Sequence, residues 1–332
     1  MKLSIIIVNY KSEQLILDAL SSFVAASTIQ PEIIIVDNAS GVGRSHMIKD
    51  VYPQVKLVQM SYNAGFARGN NEGIRQSTGD IVLLLNPDTL SPNQAIDHCF
   101  NRFVSSEYVA CGVQLLNEDG SPQISGNYFM KGGLNNLLPL PILGDLIKWL
   151  GQSLQVKKPN IPDSNSLVEV DWINGAFLMV KKTAIEKAGL LDEDFFLYAE
   201  EIEWCSRLRK TGPLCMYGDL KVTHLQGETA NINFGSSGKG YYNLYDKKGL
   251  QILVSNFLRI RKQFGIGWFL FHLSIYLLEI PVLALGFLLS GLLGKDKYPF
   301  AMLKGFINNM LILLKTSPKI ISNKPHFYKM LP

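Results

Sequence analysis

Two short aliphatic runs each end on a carboxylate: IIIVDNAS, residues 33–40, at Asp37, and IVLLLNPD, residues 81–88, at Asp88. Ligands of open α/β sheets bind outside the carboxyl ends of parallel strands, so these two acids mark a binding edge. A carboxylate such as Asp37, followed by Asn38, can accept a hydrogen bond from the imide N–H of uracil or thymine, with the Asn9 backbone and Tyr10 bordering the same base. The plainer alternative is that Asp37 and Ser40 cap a following helix. Farther along, FFLYAEEIEWCSRLR (195–209) sets Glu200, Glu201 and Glu203 at the start of a helix that turns Ile202, Cys205 and Leu208 inward. These acids either complement the helix dipole or supply acid–base chemistry.

The stretch NAGFARGNNEG (63–73) holds three glycines and three asparagines in a helix-like context. That composition opposes intrinsic helix propensity and points to a close approach of the backbone around Asn63, Gly65 and Gly69 to some other group. Arg68 is placed to face a diphosphate and Asn70 a ribose or sugar, unless the segment is simply a turn-rich helix start.

The elements that must position these groups alternate. Leu3–Asn9 reads as a strand, Ser12–Ala26 as a helix, Glu32–Val36 and Val55–Gln59 as strands, Phe66–Gln76 as a helix and Ile81–Leu85 as a strand. Alternation of this kind predicts right-handed crossovers and a parallel sheet covered on both faces, so residues 1–110 read as a nucleotide-type α/β half. VNYKSEQ replaces any GxGxxG after the first strand and no GxxxxGK[ST] occurs, which removes the main support for dinucleotide and P-loop binding.

The chain has 332 residues, 47% hydrophobic and 18% charged, with a net charge of +4. Residues 1–246 carry 20 Lys/Arg against 26 Asp/Glu, whereas residues 247–332 carry 12 against 2. The basic end is also the most apolar: Trp268–Gly294 contains Glu279 as its single formal charge, with Arg259, Arg261 and Lys262 before it and Lys295 and Lys297 after. It is long enough to cross a bilayer, but basic flanks on both sides favour an interfacial helix, a re-entrant helix bent at Pro281, or a hairpin over one crossing; a buried helical hairpin is the alternative. An apolar, Pro-broken insert, residues 127–158, reads as a lid or membrane-facing loop, or as a packed helix pair. The four cysteines show no CxxC spacing and the first residues enter a strand directly, which predicts a reducing, cytoplasmic setting. Nucleic acid is not an expected partner, because the basic excess belongs to the apolar tail.

VNY, VDNAS, NAGFARGNN, NPD and EEIEWCSRLRKTG, in this order over residues 1–250, resemble the family 2 inverting glycosyltransferases, in particular their rhamnosyltransferase-like branch. The resemblance implies an α/β, GT-A type nucleotide-sugar-binding fold with a mixed central sheet, joined to a C-terminal apolar, helical, membrane-associated segment (251–332). It also implies a nucleotide-sugar donor and a divalent metal, Mg²⁺ or Mn²⁺. The family's metal motif is often DxD; here Asn86 takes its first position and Asp88 is left as the anionic ligand, with His224 at the place of a downstream metal histidine. VDWINGAFLMV (170–180) is similar to the acceptor-side segment and nominates Trp172, Asn174 and Gly175. The catalytic base falls on the second acid of a pair, Glu201, where family members usually have Asp; Glu200 is the alternative.

The expected activity is inverting transfer of rhamnose from dTDP-rhamnose to a hydroxyl of a lipid-linked saccharide in cell-surface polysaccharide synthesis, at the cytoplasmic face of the inner or plasma membrane, with the protein peripheral, monotopic or hairpin-anchored. A UDP-hexose donor and a non-catalytic nucleotide-sugar-binding membrane subunit are the competing readings.

Overall fold

A computed structural model of the chain describes residues 1–156, 161, 163–225, 243–293 and 298–331. The linker at 157–160 and the flanking Lys295 and Lys297 lie outside the described residues. In chain order the elements are β1 (Leu3–Asn9), α1 (Glu13–Phe23), β2 (Glu32–Asp37), α2 (His46–Val51), β3 (Lys56–Gln59), α3 (Gly65–Gln76), β4 (Ile81–Leu85), β5 (Thr89–Leu90), α4 (Ala95–Val104), β6 (Ala110–Leu116) and β7 (Gly126–Asn127). A 3₁₀ segment (Lys131–Leu137) and α5 (Leu143–Ser153) follow, then β8 (Leu167–Val170), β9 (Trp172–Ile173), β10 (Phe177–Lys181), α6 (Lys182–Ala188), α7 (Glu200–Leu208) and β11 (Leu214–His224). Three long helices come last: α8 (Lys247–Phe264), α9 (Ile266–Leu292) and α10 (Phe300–Ser322).

The chain divides into two compact units. The first comprises Met1–Tyr128, Pro159–Phe196 and Glu200–Thr229; the second comprises Phe129–Lys158, Leu197–Ala199 and Ala230–Pro332.

The first unit is built on a sheet of order β3-β2-β1-β4-β10-β6-β11-β5, with β8 also on β11. Strands β3, β2, β1 and β4 are parallel, as the alternating sequence predicts. β10 then enters antiparallel to both β4 and β6, which makes the sheet mixed. The aliphatic runs of β1, β2 and β4 are almost wholly buried because they are covered on both faces. On one face Ile5, Ile7, Ile35 and Leu83 join Ile16, Leu20 and Phe23 of α1 and Cys99, Phe100 and Phe103 of α4 in a single apolar cluster.

The other face receives α3, and here the glycines acquire their reason. A methyl group on Gly69 would stand 3.0 Å from Val8 Cγ1, and one on Gly73 would overlap Ile6 and lie 3.2 Å from Val36. The close approach read from the sequence is therefore, at Gly69 and Gly73, an approach of the helix to its own sheet. At Gly65 (φ +78°) a side chain would overlap the carbonyl of Phe196, which accepts the Phe66 N–H at 2.8 Å. The amino end of α3 is thus stitched to the segment that leads into α7.

In the second unit the insert and the tail pack together. Tyr276 of α9 donates to the Asn136 carbonyl (2.7 Å), His272 Nε2 lies 3.1 Å from the Gly133 carbonyl, and Trp268 fills the space that a side chain on Gly132 would need. Asp246 caps α8 by accepting from Gly249 N (2.7 Å), and Asn309 of α10 donates to the carbonyls of Leu244 and Asp246. The segment after residue 298 forms a helix of 23 residues. Among the described residues α9 alone is long and apolar enough to cross a membrane.

Candidate active site

Because β2, β1 and β4 are neighbouring and parallel, their carboxyl ends fall on one edge, bringing Asp37, Asn9 and the Asn86–Asp88 turn to the same side of the sheet. Asp37 is buried; its Oδ1 accepts the Ser40 N–H at 2.9 Å, while Oδ2 has no hydrogen-bond partner among the described residues. A buried, orphaned carboxylate oxygen is costly unless a ligand donor meets it. The helix-capping alternative is not met, since the next helix starts only at His46; Oδ1 instead closes the turn at Ser40, which leaves Oδ2 open to a ligand donor.

The other residues of this edge hold the loop that frames Asp37. Asn38 accepts from Ala64 N (2.8 Å) and donates to Asn63 Oδ1 and the Gly65 carbonyl (both 3.1 Å), tying the loop after β2 to the start of α3. The side chain of Asn9 donates to Ser45 (2.9 Å) and Glu13 (3.2 Å) and accepts from Ser12 N, and its carbonyl accepts from Asn38 N. Tyr10 is partly buried and lies under Lys11. Arg68 donates to the Glu193 carbonyl (3.0 Å) and the Tyr62 hydroxyl (2.9 Å), and Asn70 to the Phe66 carbonyl (2.9 Å).

Glu13 and Arg44 were not legible as site-supporting residues. Arg44 grips Glu13 through Nε (3.1 Å) and Nη2 (2.8 Å), bracing the 38–45 loop against α1. Burial pushes the Glu13 carboxyl up, but the hydrogen bonds from Arg44 and Asn9 outweigh it and hold the group below its usual range. A depressed native pKa adds stability above the unfolded value and loses it as pH falls through the native one. Glu13→Gln is therefore expected to flatten the fall of Tm on acidification from about pH 5 to about pH 3. A Tm–pH slope unchanged from wild type would show that the bracket adds nothing to acid stability.

The NPD turn is clamped from two sides. Asn86 N donates to the Ala176 carbonyl (3.0 Å), and the Asp88 carbonyl accepts from Leu225 N (3.0 Å). Antiparallel pairing of β5 with β11 sets Thr89 opposite His224, which delivers the imidazole to the turn. His224 Nε2 stands 3.4 Å from Asp88 Oδ1 and 3.2 Å from Asn86 Nδ2, all three residues being partly or fully buried.

The ring's proton can be assigned from its neighbours. Gln123 Nε2 sits among the carbonyls of His224 and Leu116 and the Asn117 Oδ1, so its oxygen is the atom facing His224 Nδ1 at 3.0 Å. An amide oxygen only accepts, so Nδ1 carries the hydrogen, and in the neutral ring the Nε2 lone pair is the one that faces Asp88. Gln123 thus fixes the tautomer that a metal ligand at Nε2 would need, a support that sequence reading missed.

Among the described residues no group of three or more His, Cys, Asp or Glu side chains converges. An Asp oxygen and an oriented neutral imidazole nevertheless fit Mg²⁺ or Mn²⁺, which commonly take one or two protein ligands and complete their shell with phosphate oxygens and water.

On the other side of the NPD turn, Gly175 lies against Glu201: a methyl group there would stand 3.4 Å from Glu201 Cβ and 3.4 Å from Phe66 Cζ. Consecutive residues Gly175 and Ala176 therefore touch Glu201 and Asn86 respectively. Asn174 holds this turn by donating to the Ile124 carbonyl and accepting from Ala176 N (2.9 Å), and Trp172, partly exposed, pairs with Asn127 in the β7–β9 ribbon.

The three acids separate by environment. Glu203 is held by Arg207 through Nε (2.8 Å) and Nη2 (2.7 Å), and Glu200 and Glu201 are both buried. Tyr198 and Ala199, immediately before them, both have left-handed φ values, 73° and 68°. Such conformations cost about 1–3 kcal/mol each and persist where surrounding structure demands them. Burial, against a backbone hydrogen bond from Ile173 and with the charges of Glu201 and Glu203, pushes the neighbouring Cys205 thiol up to about 12, so its sulfur stays protonated.

This mixed sheet with acids at the ends of β2 and β4 defines an α/β fold of GT-A type. Residues 4–162 match the model of glycosyl transferase family 2. The chain is 32% identical over 213 residues to the low-salt glycan biosynthesis hexosyltransferase Agl10 of Haloferax volcanii, covering 63% of this chain and 62% of that protein. It is 25% identical over 219 residues to the N-acetylglucosaminyl-diphospho-decaprenol L-rhamnosyltransferase of Mycobacterium tuberculosis, covering 60% and 68%. The match to the first of these thus spans less than two thirds of the relative's length. Among solved structures, the mannosyltransferase PcManGT of Pyrobaculum calidifontis, in complex with GDP-Man and Mn²⁺, shares the fold with a TM-score of 0.50 and 15% identity, covering 94% of this chain and 86% of that one.

Proposed function

We propose that the protein is an inverting, metal-dependent glycosyltransferase that moves a hexose, rhamnose from a dTDP donor being the leading candidate, to a hydroxyl of a lipid-linked saccharide at the cytoplasmic face of a membrane. The observation that carries this reading is the approach of Asp88 to the lone-pair side of His224, on the sheet edge where Asp37 keeps one buried oxygen open. The named activities of the two relatives, a hexosyltransferase and a rhamnosyltransferase acting on a diphospho-decaprenol, favour the same class.

Asp37 Oδ2 accepts the imide N–H of the base, an edge that uracil and thymine share, so a UDP-hexose satisfies the same contact. Asp88 and His224 would hold the divalent ion, which when bound would neutralise charge on the departing diphosphate. Glu201 takes the proton of the acceptor hydroxyl as that oxygen bonds to the anomeric carbon and the carbon–oxygen bond to the diphosphate breaks on the opposite face, inverting the centre. The contact of Glu201 with Gly175, next to Trp172, favours it over Glu200 for this task.

The test is a screen of dTDP-rhamnose, UDP-glucose, UDP-N-acetylglucosamine and GDP-mannose for slow hydrolysis and calorimetric binding, with Mn²⁺ and with EDTA. Metal-dependent binding of a thymidine or uridine donor is expected. Binding of none of them, or metal-independent binding without hydrolysis, favours a non-catalytic subunit instead.

A further inference from the structure

The helix α9 has its polarity turned inside out. Its buried positions are Phe269, His272, Tyr276, Glu279, Leu283 and Ser290, four of the six polar. Its exposed positions include Leu270, Phe271, Leu278, Leu285, Leu288, Leu289 and Leu292, and only 22% of its most apolar 18-residue window is buried. A core helix of a water-soluble unit would show the reverse arrangement. Hydrocarbon facing outward along seven turns, with polar groups satisfied inward, is the order that a lipid surroundings demands.

The inward groups have definite partners within the second unit. Glu279 accepts the N–H groups of Ile142 (2.8 Å) and Leu143 (2.9 Å) at the start of α5, so its charge meets a helix amino terminus. α5 is bound to the same side of α9, and a methyl group on Gly286 would overlap Ile142 more closely than ordinary contact allows, at 2.6 Å. α5 exposes Leu146, Trp149 (61%) and Leu150, with Leu154 just after it, while bearing the exposed pair Lys148–Asp145. Carrying that pair through the bilayer with α9 would place two charges in hydrocarbon, which is unfavourable. The outward side of α10 mixes Lys304, Lys315 and Lys319 with Leu311 and Leu314, and the helix has no acidic residue. Lysine and leucine on one helix face suit the headgroup level of an anionic leaflet.

We infer that the second unit is an in-plane seat on an anionic phospholipid bilayer, in which α9 and α5 press their leucines and Trp149 into one leaflet, Glu279 holds the two helices together, and the α10 lysines meet lipid phosphates. The inference rests on the membrane-associated reading above and adds the face, the lipid charge and the orientation.

The full chain is floated with vesicles of phosphatidylcholine alone and of phosphatidylcholine with phosphatidylglycerol at roughly two to one. Binding is expected to favour the anionic vesicles and to weaken with salt. Leu278→Glu with Leu285→Glu, at exposed positions where folding is unaffected, should lower the bound fraction by at least about tenfold with an unchanged far-UV spectrum. Each of Lys304→Gln, Lys315→Gln and Lys319→Gln should cost about fivefold on anionic vesicles and little on neutral ones.

Orientation is read from spin labels at Leu270→Cys, Leu278→Cys, Leu285→Cys and Leu292→Cys, the native cysteines being buried. One shallow depth at all four is expected. A profile reaching the bilayer centre at Leu278 and Leu285 would overturn the in-plane seat in favour of a crossing. A chain that floats with neither vesicle, or that forms a stable dimer abolished by the two glutamates, would overturn the membrane seat altogether. Donor hydrolysis in the same preparations reports on the catalytic reading separately.

Discussion

Glu201→Gln is expected to lower kcat by about 10²–10⁴ while leaving the Kd for donor and metal within about threefold, because general-base assistance is lost and the donor side is untouched. The amide keeps the size of the carboxylate beside Gly175, so folding should be unchanged and the Tm serves as control. Glu200→Gln, measured in parallel, decides between the neighbours: if its kcat falls by the larger factor, the base is Glu200 and Glu201 is its support. Wild-type kcat in both variants would end the general-base assignment. The margin for such an exchange is small, since displacement of a catalytic group by about 1 Å can cost on the order of 10² in rate.

Asp88→Ala should have the second large effect, on binding as well as rate. Donor affinity in Mn²⁺ is expected to fall to the value measured in EDTA, and kcat/KM to drop roughly 10³-fold, which corresponds to the several kcal/mol that metal neutralisation of a leaving group supplies. Gln123→Ala leaves both ligands in place but releases His224 to rotate and change tautomer, so metal affinity alone should weaken about 10–100-fold. A Gln123→Glu variant offers a further check, because its carboxylate still accepts from Nδ1 and should retain most of the affinity. Unchanged metal titrations in Asp88→Ala would separate this turn from the metal.

The positions of Asp37 and Asp88 were legible because uninterrupted aliphatic runs that end on an acid have few structural explanations. The partners that make those acids useful were not. Gln123 stands 101 residues from His224, and nothing in its surroundings distinguishes it from an ordinary polar residue near a strand end. Arg44 meets Glu13 across 31 residues through side chains alone, which no periodicity records. The glycines of α3 announced a close contact, yet composition cannot say whether the neighbour is a ligand or a valine; the structure answers with Val8, Ile6 and Val36. The resemblance implied a mixed sheet, but the residues did not say that β10 is the strand that enters antiparallel between β4 and β6, since a buried strand reads the same in either direction.

The Glu279 cap also bears on how the polypeptide is made and how it can be shortened. The amide groups of Ile142 and Leu143 wait 136 to 137 residues for their acceptor, so during synthesis the α5 region emerges long before the carboxylate that completes it. A chain cut after Phe264 to improve handling in water would keep the Trp149 helix while discarding its anchor, and should aggregate; a soluble catalytic fragment requires removal of both pieces at once.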